Sequence, residues 1–209
     1  MATAVKTKVG ELKYVFIKGE GRNQAMPGEE ARYQYVASIV FKKDSPEHKY
    51  LKALIDEEWK EYKTSNSVKG LPATTGIKDE MQKDPKGEID PATEEVRKVP
   101  TGNIIAQFKT NTTWPNGNPK IVKVFDHKGA EITGLYAGAQ WAIGEGSTGV
   151  IFGTASGNGI GGKHKVTLYL NAVQIAKLKK YEGVVIETEE LDGDDIELDV
   201  DVSDDEIPF

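Results

Sequence analysis

The run Arg32-Tyr33-Gln34-Tyr35-Val36-Ala37-Ser38-Ile39-Val40-Phe41 decides the fold, because it alternates without interruption. Tyr33, Tyr35, Ala37, Ile39 and Phe41 share one side, the pattern of a β-strand with one face turned to a core. Upstream, residues 12–18 alternate in the same way, with Leu12, Tyr14, Phe16 and Lys18 on one face and Lys13, Val15 and Ile17 on the other. Downstream the period changes. Pro46 opens a helical stretch, Glu47 to Tyr62, with Leu51, Leu54, Ile55, Glu58 and Tyr62 near one face, and Ser45 is placed to cap it.

Residues 64–100 are rich in Pro, Gly, Lys and carboxylates and have weak periodicity, so they read as a long loop insertion, with a short helix expected around Asp79–Lys83. Strand patterns resume at Gly102–Thr110 and Lys120–Asp126, and Asp126-His127-Lys128-Gly129 is a turn signal. Trp141–Ile143, Gly149–Gly153 and Lys165–Lys177 complete the strands, the last with a possible helical end. Short strands, one inserted helix and glycine-rich connections indicate an all-β to α+β fold, a small β-barrel with long loops.

The chain of 209 residues has no cysteine, which excludes disulfides and thiolate metal sites. Met1 to Lys6 has no apolar signal region, and no stretch reaches the roughly 18 apolar residues of a membrane span, so a soluble, cytoplasmic protein is expected. Charge is divided unevenly. Residues 182–209 carry 13 of the 33 carboxylates and no Lys or Arg, leaving the other 20 against 27 basic side chains, a charge of +7, in residues 1–181. A basic body suits a polyanion, and the acidic tail, expected to be disordered, imitates one. The expected organisation is therefore a nucleic-acid-binding domain at 1–181 and a tail at 182–209.

Single strands without sequence preference are held by cations and by aromatic faces on which bases stack. The candidates are Tyr14, Phe16, Lys18, Arg32, Phe108, Lys109, Trp114, Lys120, Lys123, Phe125, Lys163 and Lys165. Trp114 stands out as a large ring in a hydrophilic run, Thr112 to Asn118. Lys123 and Phe125 share a face with Ile121, which is either a binding surface or core with Lys123 at its edge. Gly157 to Lys163 fits part of a phosphate-binding P-loop, but His164 stands where Ser or Thr is needed and Val166 to Leu170 reads as a strand where a helix should begin. His48, His127 and His164 are widely spaced and form no metal-ligand pattern. No catalytic residue, metal or cofactor is indicated; the expectation is a non-enzyme.

The chain ends in Asp204-Asp205-Glu206-Ile207-Pro208-Phe209, an aromatic ring and terminal carboxylate behind the acidic tail. With Glu206 in place of an aspartate, this resembles the Asp-Asp-Asp-Ile-Pro-Phe ending of bacterial single-stranded DNA-binding proteins. The body resembles bacteriophage single-stranded DNA-binding proteins of the replication type, most closely from Lys120 to Gly129, on through the Gly/Ala-rich segment to Lys165–Leu178, and in the acidic tail. The helix after the second strand also matches that group. The resemblance implies an OB-fold barrel that coats single-stranded DNA during phage replication, recombination or repair in the host cytoplasm, with possible self-association. It implies that Asp204, Asp205, Glu206, Ile207, Pro208 and Phe209 recruit partners such as a polymerase or primase–helicase, and that the tail competes with DNA. The alternatives are a replication adaptor that docks through its tail without binding DNA, and a phage nuclease.

Overall fold

In chain order the elements are β1 (Ala2–Lys6), β2 (Gly10–Phe16), β3 (Arg22–Asn23), β4 (Tyr33–Lys42), α1 (Pro46–Ser65), β5 (Ile77–Lys83), β6 (Lys98–Asn111), β7 (Lys123–Phe125), α2 (Thr133–Gly138), β8 (Ala142–Ile143), β9 (Ser147–Ile160), β10 (Lys163–Lys177) and β11 (Lys180–Tyr181). This computed structural model describes residues 2–25, 28, 30–160 and 162–181. The acidic tail and its candidate tip, Asp204 to Phe209, lie outside the described residues.

β4 sits between β2 and β6, antiparallel to both. β6 meets β10 in parallel at Lys109–Tyr169, β10 runs antiparallel to β9, and the start of β9 returns to β2. The order β2-β4-β6-β10-β9-β2 closes a five-stranded barrel whose third and fifth strands are parallel, the OB arrangement. Leu12, Ile39, Phe108, Ile151 and Leu168, each at most 1% exposed, fill it. α1 falls between the second and third barrel strands, as expected.

Ser45 caps α1, its Oγ accepting from the His48 amide at 3.2 Å, with Pro46 in the first turn. Leu51, Ile55 and Trp59 bury one stripe of the helix. On the same stripe the Glu58 carboxylate accepts from Thr3 Oγ1 at 2.8 Å and from the Gly157 amide at 3.0 Å, tying the helix to β1 and β9.

Three local expectations are corrected. The alternation of residues 12–18 is broken by a β-bulge: Lys13 pairs with Ser38 but Phe16 pairs with Val36, and Tyr14 takes φ 52°. Leu12, Val15 and Ile17 therefore face the core, while Tyr14 and Phe16 face out. Asp79–Lys83 is not helical but part of β5, because the first half of β6 extends beyond β10 and leaves an edge that β5 pairs. β10 stays extended to Lys177, held by β9 on one side and β7 on the other. The six-residue α2 and the short β1 and β11 had no readable pattern.

Gly149, Gly153 and Gly157 lie at alternate inward positions of β9. A Cβ on Gly153 would collide with the Tyr169 carbonyl oxygen and stand 2.8 Å from the Phe108 ring. Gly153→Ala is therefore expected to lower stability by about 1–3 kcal/mol through overpacking, measured as a shift in the urea unfolding midpoint.

Candidate nucleic-acid interface

The pleat of β6 puts Ile104, Ala106 and Phe108 in the core and Gln107, Lys109 and Asn111 outside. Cross-strand register extends this outer face into a row, Phe16–Val36–Lys109–Tyr169, running over β2, β4, β6 and β10. Val36 is the buried floor, and the rings of Phe16 and Tyr169 stand 43% and 39% exposed on either side. The Arg22 guanidinium lies 5.5 Å from the centre of the Phe16 ring.

Beside this row runs a groove of about 350 Å³, lined by Arg32, Gln34, Lys109, Lys120, Asn158, Lys165, Thr167 and Tyr169 among others. A second concavity, about 260 Å³, shares Lys109, Lys165 and Thr167 and adds Lys78 and Gln107. No carboxylate is among the residues lining either. Burial first, then repulsion from Lys165 and Arg32, holds the Lys109 ammonium below the ordinary lysine pKa. The Asn158 amide donates to Ser156 O and Thr167 Oγ1, while its buried Oδ1 has no partner among the described residues. The cluster is a set of cations held close together without anions, the electrostatic form of a polyanion site.

One end of the groove carries an aromatic platform. In the hairpin after β6 the Trp114 amide donates to Asn118 O at 2.8 Å, and Gly117, at φ 82°, returns the chain by donating to Trp114 O at 2.9 Å. The indole is 54% exposed. Lys120 Nζ sits 4.3 Å from its ring centre and donates to Thr110 Oγ1 at 3.1 Å, fixing ring and cation together.

On the β2 side the charge reverses. Lys13 is surrounded by Glu80 at 2.9 Å, Glu145 at 3.1 Å and Glu11 at 3.8 Å. The Glu80 contact chiefly raises the Lys13 pKa, with Glu145 and Glu11 adding to it against burial. For Glu80, burial pulls the pKa up, but hydrogen bonds from Lys13, Asn103 and Thr101 outweigh it and leave the carboxyl below its usual range. Three carboxylates around one ammonium leave this cluster net acidic.

Of the sequence candidates, Arg32, Lys109, Lys120 and Lys165 come together in the groove, with Trp114 beside them and Phe16 in the Lys109 row. Lys163, exposed at the start of β10, has the same outward parity as Lys165. Tyr14 is 53% exposed but lines the Glu80–Glu145 cluster instead of the groove. Phe108 is a correction: it is fully buried, one pleat away from Lys109, and offers no face to a base. Lys18 is another, because its Nζ donates to Ala139 O and Trp141 O, both at 2.7 Å, and lies over the Tyr136 ring. Lys123 pairs with Glu131 at 3.1 Å, and the half-buried Phe125 is on β7, against the far part of β10; neither lines the groove. Tyr169, Arg22, Lys78, Gln34 and Asn158 were missed. The alternation Lys165-Val166-Thr167-Leu168-Tyr169 already placed Tyr169 with the lysine, opposite the aliphatic core.

No protein-family model and no curated protein sequence matches the chain. Solved structures do. The chain is similar to gp2.5, a single-stranded DNA-binding protein encoded by bacteriophage T7, with a TM-score of 0.55 at 13% identity over 92% of this chain and 100% of that one. It is similar to the single-stranded DNA-binding protein from bacteriophage Enc34 in complex with ssDNA, with a TM-score of 0.56 at 17% identity over 86% and 89% of the two chains. The C-terminal truncation of the Enc34 protein gives 0.56 at 17% over 84% and 86%. At these identities the likeness is one of fold: the chain has the OB-type barrel of these phage proteins.

Removing a neighbouring charge tests the crowding of the groove. Lys165→Gln is expected to raise the pKa of Lys109 toward the ordinary lysine value, read by NMR titration of its side-chain Cε resonance; an unchanged titration contradicts the repulsion.

Proposed function

We propose that this protein binds single-stranded DNA with little sequence preference, along the outer face of the barrel. The observation that carries this is the groove in which Arg32, Lys109, Lys120 and Lys165 converge with no lining carboxylate, flanked by the exposed rings of Phe16, Tyr169 and Trp114. Phosphates neutralise the cations, and bases stack on rings that are already held in place. The Enc34 protein, similar in fold, is found in complex with ssDNA, which supports a single-stranded DNA-binding role for this chain. The acidic tail acts as a tethered competitor for the groove, and its Ile207-Pro208-Phe209 tip recruits replication or repair proteins. Phage replication, recombination or repair in the host cytoplasm is the setting that fits. Among the described residues no helix is long and apolar enough to cross a membrane, and no group of three or more His, Cys, Asp or Glu could hold a metal ion.

Fluorescence titration with an oligonucleotide at two salt concentrations tests this reading. Four phosphate contacts predict a slope of log K against log salt of about −2.8, and Lys165→Gln makes it shallower by about 0.7. A slope near zero overturns the assignment. Trp114→Ala is expected to weaken binding by about 1–3 kcal/mol with the salt slope preserved, as stacking requires. Deleting residues 182–209 is expected to tighten binding at low salt; equal affinities remove the competitor role.

A further inference from the structure

β9 outruns its barrel partner on one side. β2 pairs only with its start, Ser147 to Gly149, and β1 takes up the same edge from Phe152 to Ser156. β1 is therefore a strand added beside the five of the barrel, and it prolongs their outer face. The register that runs Phe16–Val36–Lys109–Tyr169 goes on to Thr154 of β9 and Ala4 of β1. Two residues along on the same side, the exposed Lys6 stands opposite Phe152, with its Nζ 5.4 Å from the centre of the ring. Phe152 is partly exposed and lies diagonal to Tyr169, a cross-strand spacing of roughly 7–8 Å.

We propose that Phe152 and Lys6 form a distal subsite for single-stranded DNA, outside the five-stranded barrel. A strand leaving the groove over Tyr169 crosses β9, stacks a base on Phe152 and sets a phosphate on Lys6. The inference rests on the single-stranded DNA reading proposed above and adds a second point of contact to it. Continuity with the groove selects the occupant, since the same register row leads from Lys109 through Tyr169 to the new pair. Charge selects it as well. β1, β9 and β10 contain no Asp or Glu, and none of the ion pairs among the described residues involves Lys6. Along the row the next side chains after Tyr169 are Thr154 and the exposed Ala4, both short, so the crossing is low and unobstructed.

The pair repeats at this end what Arg22 and Phe16 form at the other, a ring with a cation about as far from its centre. The Lys6 ammonium is beyond van der Waals contact with the ring centre and is carried on a flexible stem, so a phosphate can draw it aside and leave the ring to a base. From Lys109 on β6 to Lys6 on β1 the path crosses three inter-strand steps, about 14 Å in all. An oligonucleotide that reaches both ends must span that distance, so the distal subsite contributes to long strands and not to short ones.

The test measures oligonucleotide affinity for the full-length protein at two lengths, about 4 and about 16 nucleotides, the limits of ordinary OB-fold site sizes. Phe152→Ala is expected to weaken the longer oligonucleotide about 5- to 150-fold, the range for one stacked base, and to leave the shorter within about twofold. Lys6→Gln should make the salt slope of the longer oligonucleotide shallower by about 0.7 and leave that of the shorter unchanged. Phe152→Leu keeps an apolar side chain but no aromatic face, and is expected to show the same length-dependent loss with an unchanged urea midpoint. Equal losses at both lengths overturn the proposal, because they assign Phe152 to the folding of β9. Full affinity of both variants for the longer oligonucleotide overturns it too, while Lys165→Gln still weakening that oligonucleotide leaves the groove reading intact. Failure of the wild-type protein to bind either length removes the groove reading and the subsite together.

Discussion

Close approach of β9 to its neighbours is the constraint on which the barrel depends. β9 pairs with β10 along its length, with β2 at its start and with β1 further on, so it must coil tightly. At Gly149, Gly153 and Gly157 the space for a Cβ is already taken, by the Gln174 and Tyr169 carbonyls and the Tyr62 ring. At Gly149 and Gly153 backbone stands against backbone. The two strands pair only at Lys109–Tyr169 and then part. Residues 73–76 fill the opening, the Val166 amide donating to Thr74 O and the Gln107 amide to Gly76 O. The smaller cationic concavity lies along this opening, lined by Thr74, Gly76, Gln107, Lys109 and Val166 among others.

The energetics of the groove and of its surroundings differ in kind. Around Lys13 opposite charges compensate each other, and Glu80 is satisfied by three donors. Around Lys109 like charges are held together, and burial adds to their repulsion. A fold selected for stability alone would place a carboxylate between Lys109 and Lys165. Burial of Lys109 and its repulsion from Lys165 and Arg32 both disfavour its charged form.

Much of this was legible in the sequence, for identifiable reasons. The run 32–41 and the capped helix from Pro46 announce themselves because a single local period governs each. Arg32, Lys109, Lys120, Lys165 and Trp114 could be nominated from residue type, since charge and an aromatic ring in a polar loop survive without knowledge of tertiary contacts. Phe108 and Lys18 could not be sorted, because one pleat separates core from groove and a lysine's partners are two distant carbonyls. Tyr14 and Phe16 came out on the exposed face through a bulge whose cause is a positive φ at a tyrosine, which no composition rule anticipates. β5 was read as loop with a short helix because its pairing depends on how far β6 extends beyond β10, a property of the assembled sheet.

The arrangement of charge also gives the site a direction. Glu11, Glu80 and Glu145 gather around Lys13 on the β2 side, while Lys120, Lys109, Lys165 and Lys78 line the two concavities. The floor beneath Phe16 and Lys109 is Val36, apolar and fully buried. The uncharged polar side chains lining the groove include Gln34, Thr110, Asn111, Asn158 and Thr167. Cations that follow a path, rings at its margins and few directed hydrogen bonds form a surface suited to a backbone and to any sequence of bases.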